Sequence, residues 1–357
     1  MEYGAIDLHK KESQIRIVTT DGEILDQRIA TSRPAFDALF WGRRPMRVLV
    51  EASTESEWVA QHLEALGHEV IVADPNYAPM YGHRTRRIKT DRRDVAALAE
   101  ACQQGTYRVV HRRSAAQRAR QQQLQIRRAL VQARTAAISM VCAMTRGAGL
   151  RIRPGRPETF LTRLGAVELP PPLTDTLTPL RNTITGLNEE LEVIDAAVTA
   201  QVRTDPVATR LMTFPSVGAI TAATYIAALD DVHRFRRAGE VTSYLGLVPQ
   251  EYSSGEQQRR GHLIRSAHPD VQALLVQTAW RIWLSTDPRT GRLRAWAQCL
   301  AQRRGKRIAV VALARRVARI LFAMWRDERD FDANRWRTGD RGLTSPGPAA
   351  DLAAAAV

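Results

Sequence analysis

Lysine is nearly missing from this chain of 357 residues, which holds 52 Lys plus Arg but places lysine only at Lys10, Lys11, Lys89 and Lys306. Together with the many alanines, that shortage reads as the signature of a GC-rich genome, so the Arg:Lys ratio carries no functional weight. Cysteine is also scarce. Cys102, Cys142 and Cys299 are scattered without a CxxC pair, which excludes a disulfide framework and a zinc cluster and predicts reduced core thiols. No apolar run reaches the roughly 18–20 residues of a membrane span, and MEYGAIDLHKKES has no signal-peptide core. A cytoplasmic protein with no membrane partner is the expectation. Acid is missing from a whole block: between Ala101 and Pro157 there is no Asp or Glu, while twelve arginines lie from Arg108 to Arg156.

What is present points to a polyanion. Lys plus Arg outnumber Asp plus Glu 52 to 37, a formal net charge of +15, and nucleic acid is the leading partner for such an excess. Hydrophobic residues at 44% and charged residues at 25% describe a globular chain. Its length is enough for two lobes and a helical connector.

The first hundred residues alternate strand-like and helix-like pieces. YGAIDL, SQIRIVTT and ILDQRIA read as a meander of strands, MRVLVEA as a fourth and HEVIVADP as a fifth, with the amphipathic TESEWVAQHLEALG between the last two. A further helix is expected from Thr90, its N-cap, through DRRDVAALAEACQQG. The acid-free block from Ser114 to about Met144 lacks Pro and Gly and predicts one long basic helix. Such a helix grips phosphate, or else is a solvated face paired with acids from elsewhere. After a Pro-rich break, Leu177, Leu180, Ile184, Leu187, Leu191, Ile194 and Val198 form a heptad seam, which pairs either with the preceding basic helix inside one chain or between copies of the chain; periodicity does not choose, and a dimerising coiled coil is the favoured expectation. LMTFPSVGAITAATYIAAL resembles a helix-hairpin-helix, whose turn presents N–H groups to phosphate. It reads equally well as a packing turn. VQALLVQTAWRIWL and RIAVVALARRVARILFAMWRDE are further helices.

Four acids stand out. Asp7 closes the first strand, Glu51 closes the fourth, and Asp91 and Asp94 lie three apart on one helical face. Each alone reads as a cap or turn residue. Their order is the arrangement of an RNase H-like fold, whose carboxylates hold two Mg2+ ions for phosphodiester chemistry. Arg84, Arg86, Arg87, Lys89, Arg92 and Arg93 surround the helical pair and would hold nucleic acid beside the metal.

GAIDLHKK, VLVEAS, VIVADP, RRIKTDRRDVAALAEA, FPSVGAITAATYIA and YLGLVPQEYSSGEQQRRG together resemble the DEDD transposases of insertion-sequence family one-ten, described as bridge-RNA-guided recombinases. The likeness covers most of the chain, and KTDxxD is its most specific segment. It implies Asp7, Glu51, Asp91 and Asp94 as catalytic metal ligands and Ser254 as the nucleophile that attaches to DNA, with Ser253 the neighbouring alternative. By the residues alone, SSG would be a loop before Gly255. The sequence departs from the family where Glu256 follows Gly255 and where RSAHPDVQALL replaces a basic glycine-containing turn, with Arg265 at the usual lysine.

The resulting expectation is an α/β RuvC-like catalytic domain over 1–106 and a basic-helix and coiled-coil connector over 107–205. A mostly α transposase domain carrying the serine follows over 206–335, and then a disordered tail over 336–357. Expected nucleic-acid contacts are Arg84, Arg86, Arg87, Lys89, Arg112, Arg113, Arg118, Arg120, Arg127, Arg128, Arg259 and Arg260. The expected partners are element-end and target DNA, a bridge RNA, and further copies in a dimer or tetramer. Two other readings compete: a RuvC-like endonuclease that needs no serine, and a non-catalytic nucleic-acid-binding protein whose carboxylates only cap structure.

Overall fold

The computed structural model describes residues 1–81, 91–254, 257–264 and 268–334, with backbone alone for 251–254 and 257–261. The expected tail and the basic run Arg84 to Lys89 lie outside the described residues. The chain forms two compact units, Met1–Arg113 and Ser114–Val357.

The first unit is mixed α/β. In chain order it contains β1 (Glu2–Leu8), β2 (Glu12–Val18), β3 (Ile24–Ala30), α1 (Arg33–Phe40), β4 (Met46–Glu51), α2 (Ser56–Ala65), β5 (Glu69–Ala73) and α3 (Asp91–Gln104). The sheet order is β3-β2-β1-β4-β5. β1–β2 and β2–β3 are antiparallel, whereas β1–β4 and β4–β5 are parallel. Burial explains the order. Residues Gly4 to Leu8 of β1 and Val48 to Val50 of β4 are continuously buried, as central strands covered on both faces must be. β3, with Asp26 and Arg28 in a largely exposed strand, is suited to an edge. Gly4 lets the two central strands meet closely, because a Cβ there would stand 3.2 Å from Val48 Cγ2.

The period of two along each strand then sorts side chains between two cores. Ile6, Val48 and Val50 pack with Phe36, Phe40, Val59 and Leu63 of α1 and α2. Ala5 and Leu49 pack with Val95, Leu98 and Cys102 of α3. α1, absent from the sequence reading, is needed to cover the first of these faces.

The second unit is mostly helical: α4 (Ala115–Gly147), α5 (Phe160–Gly165), α6 (Pro171–Thr204), α7 (Pro206–Met212), α8 (Ala219–Leu229), α9 (Ala238–Tyr244), the hairpin β6 (Pro249–Ser254) and β7 (Gln257–Leu263), α10 (Pro269–Leu284), α11 (Gly291–Arg304) and α12 (Lys306–Arg326). Ser114 starts α4 by accepting from Gln117 N at 3.3 Å, as an N-cap should. Asp205 starts α7 by accepting from Val207 N and Ala208 N. α8 is buried from Thr221 through Leu229 and forms the axis of the main core. The Tyr225 hydroxyl, which has no route to water there, donates to Ala318 O at 2.8 Å, and burial raises its pKa well above the usual phenol value. Fully burying side chains of this size contributes about 1.5–3 kcal/mol each.

The heptad residues Leu177, Ile184, Leu191 and Val198 are buried within the chain, while Leu180, Leu187 and Ile194 are half-buried. Leu177 and Ile184 close a separate cluster with Ala137, Val141, Phe160 and Leu164. One side of the seam therefore packs against α4 of the same chain. PSVG joins α7 to the core helix α8, with Ser216 in the left-handed region at φ 72°. The hairpin β6–β7 replaces the loop that SSG suggested. Of the three thiols, Cys102 is buried, Cys142 is half-buried and Cys299 is exposed, so the core-thiol expectation fails at Cys299. Among the described residues no helix is long and apolar enough to cross a membrane.

Candidate metal centre

The β1–β4 ladder pairs Glu2 with Met46 and Ile6 with Val50. One further step along that register brings Asp7 opposite Glu51, on neighbouring strands about 4.8 Å apart. Both residues follow Ala5 and Leu49 by two, so both belong to the sheet face that α3 covers. α3 begins at Asp91 and buries Asp94 at 4% exposure. Asp7 is 8% exposed. Strand alternation and helix packing thus direct all four acids to one end of one sheet face.

Within that end, side chains converge on an unexpected residue. His9 Nε2 lies 3.5 Å from Asp7 Oδ2 and 3.6 Å from Asp91 Oδ1. Ligand atoms of Asp7, His9 and Asp91 all come within 4.8 Å of one another. Glu51 and Asp94 fall outside that closest set. HKKE reads as a turn in the sequence, which hides His9; its signal is the position two residues after Asp7, at a strand end where such spacing returns a side chain to the same side. The carboxylate oxygens suit a hard cation such as Mg2+, and the imidazole adds a nitrogen donor of the kind Mn2+ or Zn2+ accepts.

α3 is held in place beside these acids. Arg16 donates to Asp26 through Nε and Nη2, each at 2.6 Å, and Arg92 Nε donates to Asp26 Oδ2 at 3.1 Å. The Arg16 guanidinium, with help from Arg92, holds the Asp26 carboxyl below its usual pKa against the opposing effect of burial. Arg92, read as a nucleic-acid contact, is engaged here instead.

Other predicted contacts also have internal partners. Arg112 bonds Glu57 at 3.0 Å and also Glu64, and these two carboxylates raise its pKa. Arg120 pairs with Asp205 at 2.9 Å, Arg127 with Asp195 and Arg128 with Asp270. Arg134, 7% exposed, donates to Asn188 Oδ1 and Glu158 Oε1, each at 3.0 Å. Much of the acid-free helix thus draws its counter-charge from other segments. Arg84, Arg86, Arg87 and Lys89 lie outside the described residues, and Ser254, Arg259 and Arg260 are described by backbone alone: Ser254 pairs with Gln257, and Arg260 with Glu251, across the hairpin.

Two family models match the chain. A DEDD transposase model of IS110 type matches residues 5–146, spanning all four acids, and the model described as "Transposase IS116/IS110/IS902 family" matches 208–294, spanning Ser254. A "Probable family 20 transposase" of Pseudomonas aeruginosa is 30% identical over 325 residues, covering 89% of this chain and 95% of that protein. The chain belongs to the IS110 family of transposases. Similarity extends to the "Transposase for insertion sequence element IS1328" of Yersinia enterocolitica, 28% identical with 78% of this chain and 84% of that protein covered. The "Transposase for insertion sequence element IS1111A" of Coxiella burnetii is also 28% identical, covering 78% and 77%. The acids of this transposase therefore sit in its DEDD-matched segment and the serine hairpin in its second matched segment.

Proposed function

We propose that this transposase exchanges DNA strands through a covalent phosphoserine at Ser254, assisted by a carboxylate metal centre built from Asp7, Glu51, Asp91 and Asp94. The observation that carries the metal half is the meeting of Asp7 and Asp91 at His9, on the sheet face where the register also aligns Glu51. The β3-β2-β1-β4-β5 order, antiparallel on one side of β1 and parallel on the other, supports an RNase H-like reading. Bound Mg2+, two ions in this reading, would polarise the phosphate and stabilise attacking and leaving oxygens.

The chain's own groups account for the exchange. Ser254 Oγ forms a bond to phosphorus as the bond from phosphorus to a sugar oxygen breaks; the serine proton leaves to a base and the sugar oxygen gains a proton. The phosphoester preserves the bond energy, so a second sugar hydroxyl reverses the step and rejoins strands without another energy source. Basic residues Arg84, Arg86, Arg87, Lys89, Arg113, Arg118, Arg259 and Arg260 are the proposed backbone contacts. Arg112, Arg120, Arg127 and Arg128 join them only with donors not used by their carboxylates.

A guide RNA choosing both DNAs follows from the family likeness and is consistent with a net charge of +15. Assembly as a dimer or tetramer is supported by apolar residues left outside the helical pair: Ile126 and Met140 on α4 are 57% and 55% exposed, and Val193 on α6 is 68% exposed.

The deciding experiment traps the covalent intermediate on DNA carrying the element ends. Ser254→Ala is expected to abolish the protein–DNA adduct while leaving RNA binding intact. An adduct that persists moves the role to Ser253 or replaces the recombinase reading with metal-only hydrolysis by a RuvC-like nuclease.

A further inference from the structure

A second acid-free block runs from Pro288 to Arg326 and carries ten arginines and Lys306. It makes up most of the segment containing α11 and α12. Some of its cations are held within the chain: Arg289 pairs with Asp287 at 2.8 Å, Arg326 pairs with Asp327 at 2.8 Å, and Arg294 donates to the Ser285 carbonyl. Arg303, Arg304, Lys306 and Arg307 are different. They are consecutive but for Gly305, all are exposed, and none forms an ion pair among the described residues.

These charges stand beside an aromatic surface. Trp280 and Trp283 of α10 are half-exposed, with ring centroids 6.5 Å apart and planes at 64°. Lys306 Nζ lies 5.0 Å from the Trp280 centroid and 5.3 Å from that of Trp283. Leu284 next to Trp283 is 74% exposed, and Ile308 beyond Lys306 is 58% exposed. Tryptophan in a core needs no cation on its face, and a surface cation is better hydrated without two indoles. The exposed cation–π contact itself is worth only about 0.5–1 kcal/mol, so a ligand with both a flat apolar part and a negative part can take the indole faces and the ammonium at little cost.

We propose that Trp280, Trp283 and Lys306 form a stacking platform for single-stranded DNA, with Arg303, Arg304 and Arg307 following its phosphates. A base takes an indole face, and the Lys306 ammonium moves from the ring to the adjoining phosphate. Base–aromatic stacking beside a cationic track is the general means of holding a single strand without reading its sequence. A duplex cannot use the indoles, because its base faces are already stacked on each other. A protein partner would use Leu284 and Ile308 but leave four exposed cations without counter-charge. Strand exchange by a transposase exposes DNA single strands beside the enzyme, which makes DNA the occupant.

The test is fluorescence anisotropy of labelled oligothymidylate, oligouridylate and duplex DNA with the full chain, in the absence of divalent metal. Trp283→Ala is expected to weaken oligothymidylate binding about tenfold, Trp283→Phe to retain it within about twofold, and Lys306→Glu to weaken it about tenfold. Duplex binding should change less than about twofold for the two tryptophan variants. Should Trp283→Ala fail to fold, Lys306→Glu, at an exposed position, carries the test by itself through the ratio of single-strand to duplex loss. Unchanged oligothymidylate binding overturns the proposal, as does an equal loss on duplex. A loss confined to oligouridylate makes the platform an RNA site, and a loss of self-association by light scattering makes it a contact between copies; either result overturns the DNA assignment. Because no metal is present, failure of the carboxylate reading leaves this test standing.

Discussion

Arg92 Nε stands 3.1 Å from Asp26 Oδ2, so the residue next to Asp91 is tied to the edge strand β3. Asp26 is also gripped by Arg16. The link ties the first turn of α3, which carries Asp91, to the sheet. Asp26→Asn should remove most of the charge assistance, destabilise the chain by about 1–3 kcal/mol at pH 7 and weaken metal binding without touching a ligand. The pH dependence follows from the lowered Asp26 pKa. An unfolded Asp titrates near about 3.9, so the Asp26 contribution is complete above that pH and is lost as pH falls through the lower folded value. Melting curves of wild type and Asp26→Asn should therefore converge as pH falls below about 4, and a constant gap would contradict the link.

Ile184 is fully buried where α6 meets α4. Ile184→Ala is expected to cost about 2–5 kcal/mol by urea denaturation, whereas Val193→Ala, at a 68% exposed position, should leave stability nearly unchanged. If Val193→Ala lowers the molecular mass in light scattering while Ile184→Ala does so only on unfolding, the two roles of α6 are separated.

The thiols should differ sharply in reactivity. Burial pushes the Cys102 thiol up to about 12, so it stays protonated at physiological pH, while Cys299 is exposed. Brief iodoacetamide treatment at pH 8, read by peptide mass spectrometry, should label Cys299 and leave Cys102 unmodified until the chain is denatured. Labelling of native Cys102 at the rate of Cys299 would refute the packing of α3 on the sheet.

Arg127 and Arg118 both lie on the basic helix. Arg127→Ala breaks the pair with Asp195 and should lower stability more than it lowers DNA affinity. Arg118→Ala, by losing one phosphate contact, should reduce the slope of log affinity against log salt by about one. Equal slopes for Arg118→Ala and wild type would remove Arg118 from the proposed interface.

The acids were legible because strand ends can be read from short apolar runs. Asp7 and Glu51 follow such runs, and Asp91 and Asp94 open a helix whose apolar face is clear. The mixed α/β first part and the mostly helical second part were legible for the same reason, whereas the family was legible only through the resemblance of its motifs, KTDxxD above all. His9 was not, since a histidine between Leu8 and Lys10 has no pattern of its own and gains meaning only from α3 docking. The hairpin around Ser254 was obscured because QEYSSGEQQRRGHL lacks the alternation that marks half-buried strands. The ion pairs of Arg120, Arg127 and Arg128 join distant segments, and an acid-free stretch gives no sign of which remote carboxylates will meet it. α1 is eight residues long, too short to yield a firm helical period.

The most direct test of the account titrates Mg2+ into wild type and into Asp7→Asn and Glu51→Gln, following both metal affinity and strand transfer on DNA bearing the element ends. The account predicts that each substitution weakens Mg2+ binding and lowers strand transfer by at least about a hundredfold while the folded chain retains its affinity for nucleic acid. Wild-type metal affinity and wild-type strand transfer in both variants would contradict the carboxylate metal centre.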